Sequence, residues 1–149
     1  MSLTPHFSLQ ELCESDTAVR KGIDNTPDAE VSANLLLLAR GLERLRSILG
    51  YPLRITSAYR GPKLNAAIGG SKSSAHMRGL AADFTCAEYG SPLEICKVIL
   101  AHTDEIGFDQ CIQEGRWVHL SFPEEGLPKG EVLTAHFGNS GTTYTKGLA

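Results

Sequence analysis

Apolar residues recur along this chain with two different periods, and the periods divide it into helical and extended stretches. Val31, Leu35, Leu38, Leu42, Leu45 and Leu49 alternate steps of four and three, which draws one stripe along a single helix. Asp28 stands where an N-cap is needed, Glu30 suits the first turn, and Gly50 suits the position just past the end. Two shorter helices are predicted before it. The capping box Ser8-Leu9-Gln10-Glu11 opens one near Leu9, and Asp16 to Lys21 forms another, closed by Gly22. Leu53 to Tyr59 alternates and is rich in strand formers, and Gly61-Pro62 breaks it. Lys63 to Ile68 reads as a short helix, after which Gly69-Gly70-Ser71 permits an irregular turn. Leu80 to Cys86 reads as a buried strand. Ser91-Pro92-Leu93-Glu94 is a second capping box with proline at N1, starting a helix that runs to about His102. Phe108 to Gln113 and Arg116 to Phe122 form a predicted hairpin around Glu114-Gly115, and Gly130 to Phe137 adds a strand. The Gly/Thr-rich residues from Gly138 onward are expected to be a loose tail. Helices gather early and strands late, which predicts an α+β fold with an antiparallel sheet braced by helices.

Length and charge narrow the picture. A chain of 149 residues is expected to be one domain, 1–149, with its core in about 5–137. At this size a chain buries roughly 68–70% of its unfolded surface, so it needs neither disulfide nor metal merely to fold. The net charge is −3 and the basic residues are scattered, which leaves no electrostatic footprint for nucleic acid. No apolar run approaches the 18 or more residues of a membrane span; Leu35-Leu36-Leu37-Leu38 lies within the helical pattern. The chain opens without the basic start and apolar run of a secretory signal. Synthesis in the cytoplasm is therefore expected, with action outside the cell only on release. Cys13, Cys86, Cys96 and Cys111 form no C-x-x-C pair and read as reduced, mostly buried thiols. A monomer is expected.

Chemistry-bearing residues concentrate in two places. Ser73 to Asp83 holds His76 and Asp83 seven positions apart, and Arg116 to Phe122 supplies His119. In an alternating strand Trp117, His119 and Ser121 share one face, while Val118, Leu120 and Phe122 share the other. The second face is wholly apolar and should pack on the core, which leaves His119 facing a cleft with a tryptophan beside it. Asp83 follows Leu80-Ala81-Ala82 and precedes Phe84, so its carboxylate is costly to bury without a partner. A metal ion would neutralise it, and so would an arginine such as Arg60. His76 alone reads equally well as an exposed loop residue. Together the three form the ligand set of a catalytic zinc, which takes three protein donors and leaves one position open. Other readings are weaker. Ser74, His76 and Asp83 could suggest a serine hydrolase, but no Gly-x-Ser-x-Gly elbow exists. Gly69-Gly70-Ser71-Lys72-Ser73 lacks the phosphate-loop spacing. His6, His102 and His136 are expected to have no role.

Several motifs in order resemble one family. Ser57-Ala58-Tyr59-Arg60, Asn65, Gly69-Gly70-Ser71, Ser74-x-His76-x-x-Gly79-x-Ala81-x-Asp83 and Trp117-x-His119 are similar to the zinc D,D-carboxypeptidases and phage endolysin peptidases of metallopeptidase family fifteen, which share the fold of the Hedgehog signalling domain. Phe7-Ser8-Leu9-Gln10-Glu11-Leu12 and Asp24-Asn25-Thr26-Pro27 resemble the small phage-type branch. The resemblance spans roughly residues 5 to 122. It implies that the sheet carries a Zn2+ site with His76, Asp83 and His119 as ligands. It further implies that Arg60 helps stabilise a polarised carbonyl and that Ser74 faces substrate, with Tyr59, Trp117 and Gln110 as further substrate contacts. The implied reaction is hydrolysis of peptidoglycan stem peptides, of the L-Ala-D-Glu endopeptidase or D-Ala-D-Ala carboxypeptidase type.

One position departs from the family pattern. Many members carry an acid three residues before the second histidine, and here that residue is Arg116. The nearest acid, Glu114, is the candidate general base. If Glu114-Gly115 were the tight turn, five residues of strand would separate Glu114 from His119 by roughly 17 Å. Its odd spacing would also point it to the other face, unless a bulge or wider turn brought it back. In that register Gln110 lies opposite His119 and Asp109 faces away. The alternative is a zinc-containing cell-wall or protein-binding module that does no chemistry.

Overall fold

The computed structural model describes residues 2–148. A two-stranded ribbon, β1 (Ser2–Thr4) and β2 (Phe7–Ser8), opens the chain and was not predicted. Two short helices follow, α1 (Leu9–Cys13) and α2 (Asp16–Lys21), capped by the side chains of Ser8 and Ser15. The predicted long helix is α3 (Ala29–Leu49). Asp28 accepts from the Val31 amide at its start, and Gly50 closes it in the left-handed conformation. Leu35, Leu38, Leu42 and Leu45 are all fully buried along its stripe; each contributes about 1.5–3 kcal/mol of burial. Between them, Gly41 lies flat under the ring of Phe122. A Cβ there would come within 2.3 Å of two ring atoms, so only glycine lets helix and sheet approach this closely.

The remaining elements are β3 (Arg54–Ser57), α4 (Pro62–Ala67), a 3-10 turn at Ala75–Arg78, β4 (Ala81–Thr85), α5 (Pro92–Ala101), α6 (Thr103–Ile106), β5 (Gln110–Gln113), β6 (Val118–Ser121), β7 (Glu131–Gly138) and β8 (Gly141–Lys146). Six strands form one sheet in the order β3-β4-β6-β5-β7-β8. The fold is α+β, as predicted, and compatible with the Hedgehog/D,D-peptidase architecture. The sheet is mixed rather than purely antiparallel, because β7 runs parallel to β5. The cause is geometric. β6 ends at Ser121 beside Gln110, where β5 begins, and Glu131 at the start of β7 also pairs with Gln110. A strand begun at that end of β5 must run in its direction.

Alternation divides the sheet into two faces. Ala82, Phe84, Cys111, Val118, Leu120, Phe122 and Val132 join the helices in the core. Asp83, Gln110, Ile112, Glu114, His119, Ser121, Glu131 and Leu133 line the opposite side.

The loose tail expected from Gly138 is instead the edge strand β8. It pairs with β7 from Leu133↔Lys146 to Gly138↔Gly141. Its Thr142-Thr143-Tyr144-Thr145 run has high strand propensity, and its side chains are exposed along its length, so an edge position suits it. The predicted strand from Leu53 to Tyr59 is regular only to Ser57. An extra residue, Thr56, bulges between Ile55↔Phe84 and Ser57↔Asp83 and turns the next segment out of the ladder.

Candidate active site

The bulge in β3 sends Ala58 to Gly61 across the end of the cleft, and backbone bonds together with the Asn25 side chain hold them there. The Tyr59 amide donates to the Leu12 carbonyl at 2.8 Å and the Arg60 amide to the His76 carbonyl at 3.1 Å. Asn25 supplies the rest. Its side-chain amide donates to the Tyr59 carbonyl and also to that of Cys13, each at 3.0 Å, and its Oδ1 accepts from the Gly61 amide at 2.8 Å. Ala58 in turn presents its carbonyl to His76 Nδ1 at 2.6 Å. That bond fixes the buried ring with Nδ1 as the donor and turns Nε2 toward Asp83.

His76 sits on the 3-10 turn, which Ser74 caps by accepting from the His76 amide at 3.2 Å. Gly79 ends the turn at φ 74°. A side chain there would be strained, and its Cβ would crowd Val31 and Leu35 at 3.0–3.1 Å. The glycine therefore lets the turn reverse against α3 and run directly into β4.

Asp83 and His119 are cross-strand partners on β4 and β6. One carboxylate oxygen, Asp83 Oδ1, lies 3.2 Å from His76 Nε2 and 3.0 Å from His119 Nδ1. The two imidazoles meet edge to face with centroids 5.1 Å apart. One donor atom from each of the three residues falls within 4.8 Å of the others. Burial pushes the Asp83 carboxyl up, but hydrogen bonds from His119 and His76, with their electrostatic attraction, outweigh it and hold the group well below the usual carboxylate range.

The donor chemistry suits a metal. With Nδ1 engaged by the Ala58 carbonyl, Nε2 is the atom that His76 offers beside Asp83 Oδ1 and His119 Nδ1. Two imidazole nitrogens and a carboxylate are a three-donor set with one position left open. Arg60 does not pair with Asp83, the other partner considered from sequence. The guanidinium lines the cleft, and its Nε is buried without a hydrogen-bond partner. Burial lowers its pKa, with Asp83 and Glu114 acting in the opposite direction.

Glu114 lies closer to the site than a turn at Glu114-Gly115 would allow. The turn residues are Gly115 and Arg116: the Glu114 amide donates to the Trp117 carbonyl at 3.1 Å, and Gln113 pairs with Val118. Glu114 thus continues β5 on the face of Ile112, which lies opposite His119. It is a diagonal neighbour of His119, about 7–8 Å away across the ladder, rather than roughly 17 Å along one strand. Burial raises its pKa and Asp83 adds to the rise, against the attraction of His119 and Arg60.

Among the other residues predicted to contact substrate, Ser74, Trp117 and Gln110 line the same cleft, whose volume is about 540 Å³. Gln110 lies opposite Ser121 rather than His119, and its side chain donates to Glu131 at 2.8 Å. Tyr59 does not line the cleft. Its side chain is buried in the hydrophobic core, because neighbours along an extended segment point to opposite sides and Arg60 takes the cleft side. Asp109, read as facing away, borders the cleft just before β5. His6, His102 and His136 lie outside it, bonded to Glu43, Glu105 and Thr145.

Residues 5–121 match the model of the peptidase M15 family. The chain belongs to that family. No curated protein matches it. As an M15 peptidase it falls among metallopeptidases, and the His76–Asp83–His119 group could hold the metal ion. The M15 match ends before β7 and β8, which supply Glu131, Leu133 and Tyr144 to the cleft wall. Sequence reasoning overlooked these residues, and Asn25 as a brace. The strand predicted from Gly130 to Phe137 and the aromatic and β-branched run at 142–145 were the signals that hinted at the wall. No helix among the described residues is long and apolar enough to cross a membrane.

Proposed function

We propose that this M15 peptidase is a zinc-dependent hydrolase of peptide bonds in peptidoglycan stem peptides. The observation that carries the reading is the convergence of His76, Asp83 and His119, within 4.8 Å by their donor atoms, beside an arginine with an unpartnered Nε in a family of peptidases.

His76 through Nε2, His119 through Nδ1 and Asp83 through a carboxylate oxygen would hold the ion. Zinc, when bound, supplies a Lewis acid for the scissile carbonyl and lowers the pKa of the attacking water toward about 7. Glu114 takes the proton from that water and delivers it to the leaving amine, the work of a carboxylate whose pKa is raised toward the working pH. Arg60 donates to the carbonyl oxygen as negative charge develops there; its unpartnered Nε is consistent with a donor reserved for substrate. Ser74, Trp117 and Gln110 border the space the peptide would occupy. Ala58 orients His76, and Asn25 holds the Ala58–Gly61 segment in place.

Digestion of purified muropeptides followed by mass spectrometry tests activity and bond together. Loss of a terminal D-alanine marks a carboxypeptidase, and separation of L-Ala from D-Glu marks the endopeptidase. Zinc-loaded protein that turns over neither bond, with wild type equal to Glu114→Gln, overturns the peptidase reading in favour of an inert zinc module.

A further inference from the structure

The cleft face continues past the metal-ligand group onto a platform of three aromatic side chains, two of which, Phe137 and Tyr144, the proposed hydrolysis does not use. Phe137 lies on the same face of β7 as Leu133 and Glu131, which line the cleft. Across the β7–β8 ladder Ala135 pairs with Tyr144, so Tyr144 shares that face. Phe137 is 59% exposed and Tyr144 51% exposed. The Phe137 ring stands 6.5 Å from that of Trp117 at an interplanar angle of 49°, beside Gly115 of the hairpin turn. Three aromatic rings therefore border one continuous surface, and two of them lie beyond the segment that matches the family. Leaving such rings in water forgoes the burial that aromatic side chains usually supply.

We propose that Trp117, Phe137 and Tyr144 form a subsite for the sugar rings of the glycan strand, beside the peptide-cleaving centre. The inference rests on the proposed action on stem peptides. The apolar C–H face of a pyranose ring stacks on an aromatic face, while its hydroxyl and N-acetyl groups need polar partners at the edge. The Tyr144 and Thr142 hydroxyls supply them from the same face of β8. Spacing agrees. Trp117 precedes β6, two residues from His119, roughly 7 Å for extended backbone. One amino acid plus the lactyl group that joins a stem peptide to its sugar spans about the same distance when extended. With the L-Ala-D-Glu bond at the metal site, the first sugar ring reaches Trp117 and the next reaches Phe137. A D-Ala-D-Ala bond at the metal site would carry the sugar past the platform. The subsite therefore selects the endopeptidase reaction on glycan-linked peptide.

Trp117 is the single tryptophan of the chain, so its fluorescence reports on the platform directly. Titration with a peptide-free oligomer of β-1,4-linked N-acetylated amino sugars is expected to give a saturable change. Phe137→Ala together with Tyr144→Ala should weaken that binding roughly tenfold or more, the scale of one or two aromatic stacks. Both residues are more than half exposed, so their truncation leaves the core intact. In parallel, kcat/KM is compared for one stem peptide free and linked to its disaccharide. The linked form should be preferred by roughly tenfold in wild type, with the ratio falling toward one in the double variant. No fluorescence change with the oligomer, equal binding by the double variant, or a wild-type ratio of one overturns the subsite. Saturable, variant-sensitive binding without turnover of either peptide supports the subsite and overturns the peptidase reading instead.

Discussion

Replacing Glu114 with glutamine tests the chemical core of this protein most directly. The change keeps shape and polarity and removes only the ability to hold and release a proton. Its size separates two roles. A carboxylate that acted only through its charge, about 7 Å from the reacting centre at an effective dielectric near 20, would contribute about 2.4 kcal/mol, roughly sixtyfold in rate. A general base contributes typically 10²–10⁴-fold, and the neighbouring charges of Arg60 and Asp83 remain in place in the variant. Glu114→Gln should therefore lower kcat on a stem peptide by more than about 10²-fold, with zinc content by mass spectrometry and KM near wild type. The wild-type acid limb of kcat/KM should lie above the ordinary glutamate range, because burial and Asp83 raise the Glu114 pKa, and the variant should lose it. Stability should move the other way. A carboxyl whose folded pKa is raised stabilises below its unfolded pKa, and that contribution is lost as pH rises through the folded value. Metal-free Glu114→Gln should thus melt higher than wild type at neutral pH, and the two should converge in acid. A fall in kcat of about sixtyfold or less, with zinc retained, would refute the assignment of Glu114 as base.

Other expectations follow from the same geometry. His119→Ala should lose both stoichiometric zinc and hydrolysis, whereas zinc bound at wild-type affinity would sink the ligand assignment. Chelation should lower Tm, since an ion at a hundred times its Kd adds about 2.7 kcal/mol to the folded state; differential scanning calorimetry with and without zinc reads this. Asn25→Ala removes the bonds to Cys13, Tyr59 and Gly61, so urea denaturation should show a loss of about 1–3 kcal/mol. Its activity should fall as Arg60 and the Ala58 carbonyl lose their seat. Gly41→Ala sets about 1 kcal/mol of gained helix propensity against a Cβ only 2.3 Å from the Phe122 ring. Overpacking should win, with a net loss of about 1–3 kcal/mol by the same assay.

What the sequence determined by itself was local. Asp28, Gly50 and the leucine stripe specify α3, and Ser8 and Ser91 specify their helices, because caps and a 3.6-residue period act within a few turns. The facing of His119 opposite Val118 and Leu120 was equally legible, since alternation follows from the backbone. The motifs around His76, Asp83 and His119 brought the family within reach before any distance was known. Tertiary structure alone decided the register of the β5–β6 hairpin. Pairing Gln110 or Ile112 with His119 leaves every side chain on the same face, so the hydrophobic pattern cannot distinguish them; only a shift of one residue would expose the error. Yet that two-residue difference moves the turn to Gly115-Arg116 and carries Glu114 from the far end of a strand to the side of the metal-ligand group. The same holds for Asn25, Tyr144 and Phe137. Their partners lie far away in the chain, and nothing in the residues around them records which strand or carbonyl folding will bring alongside.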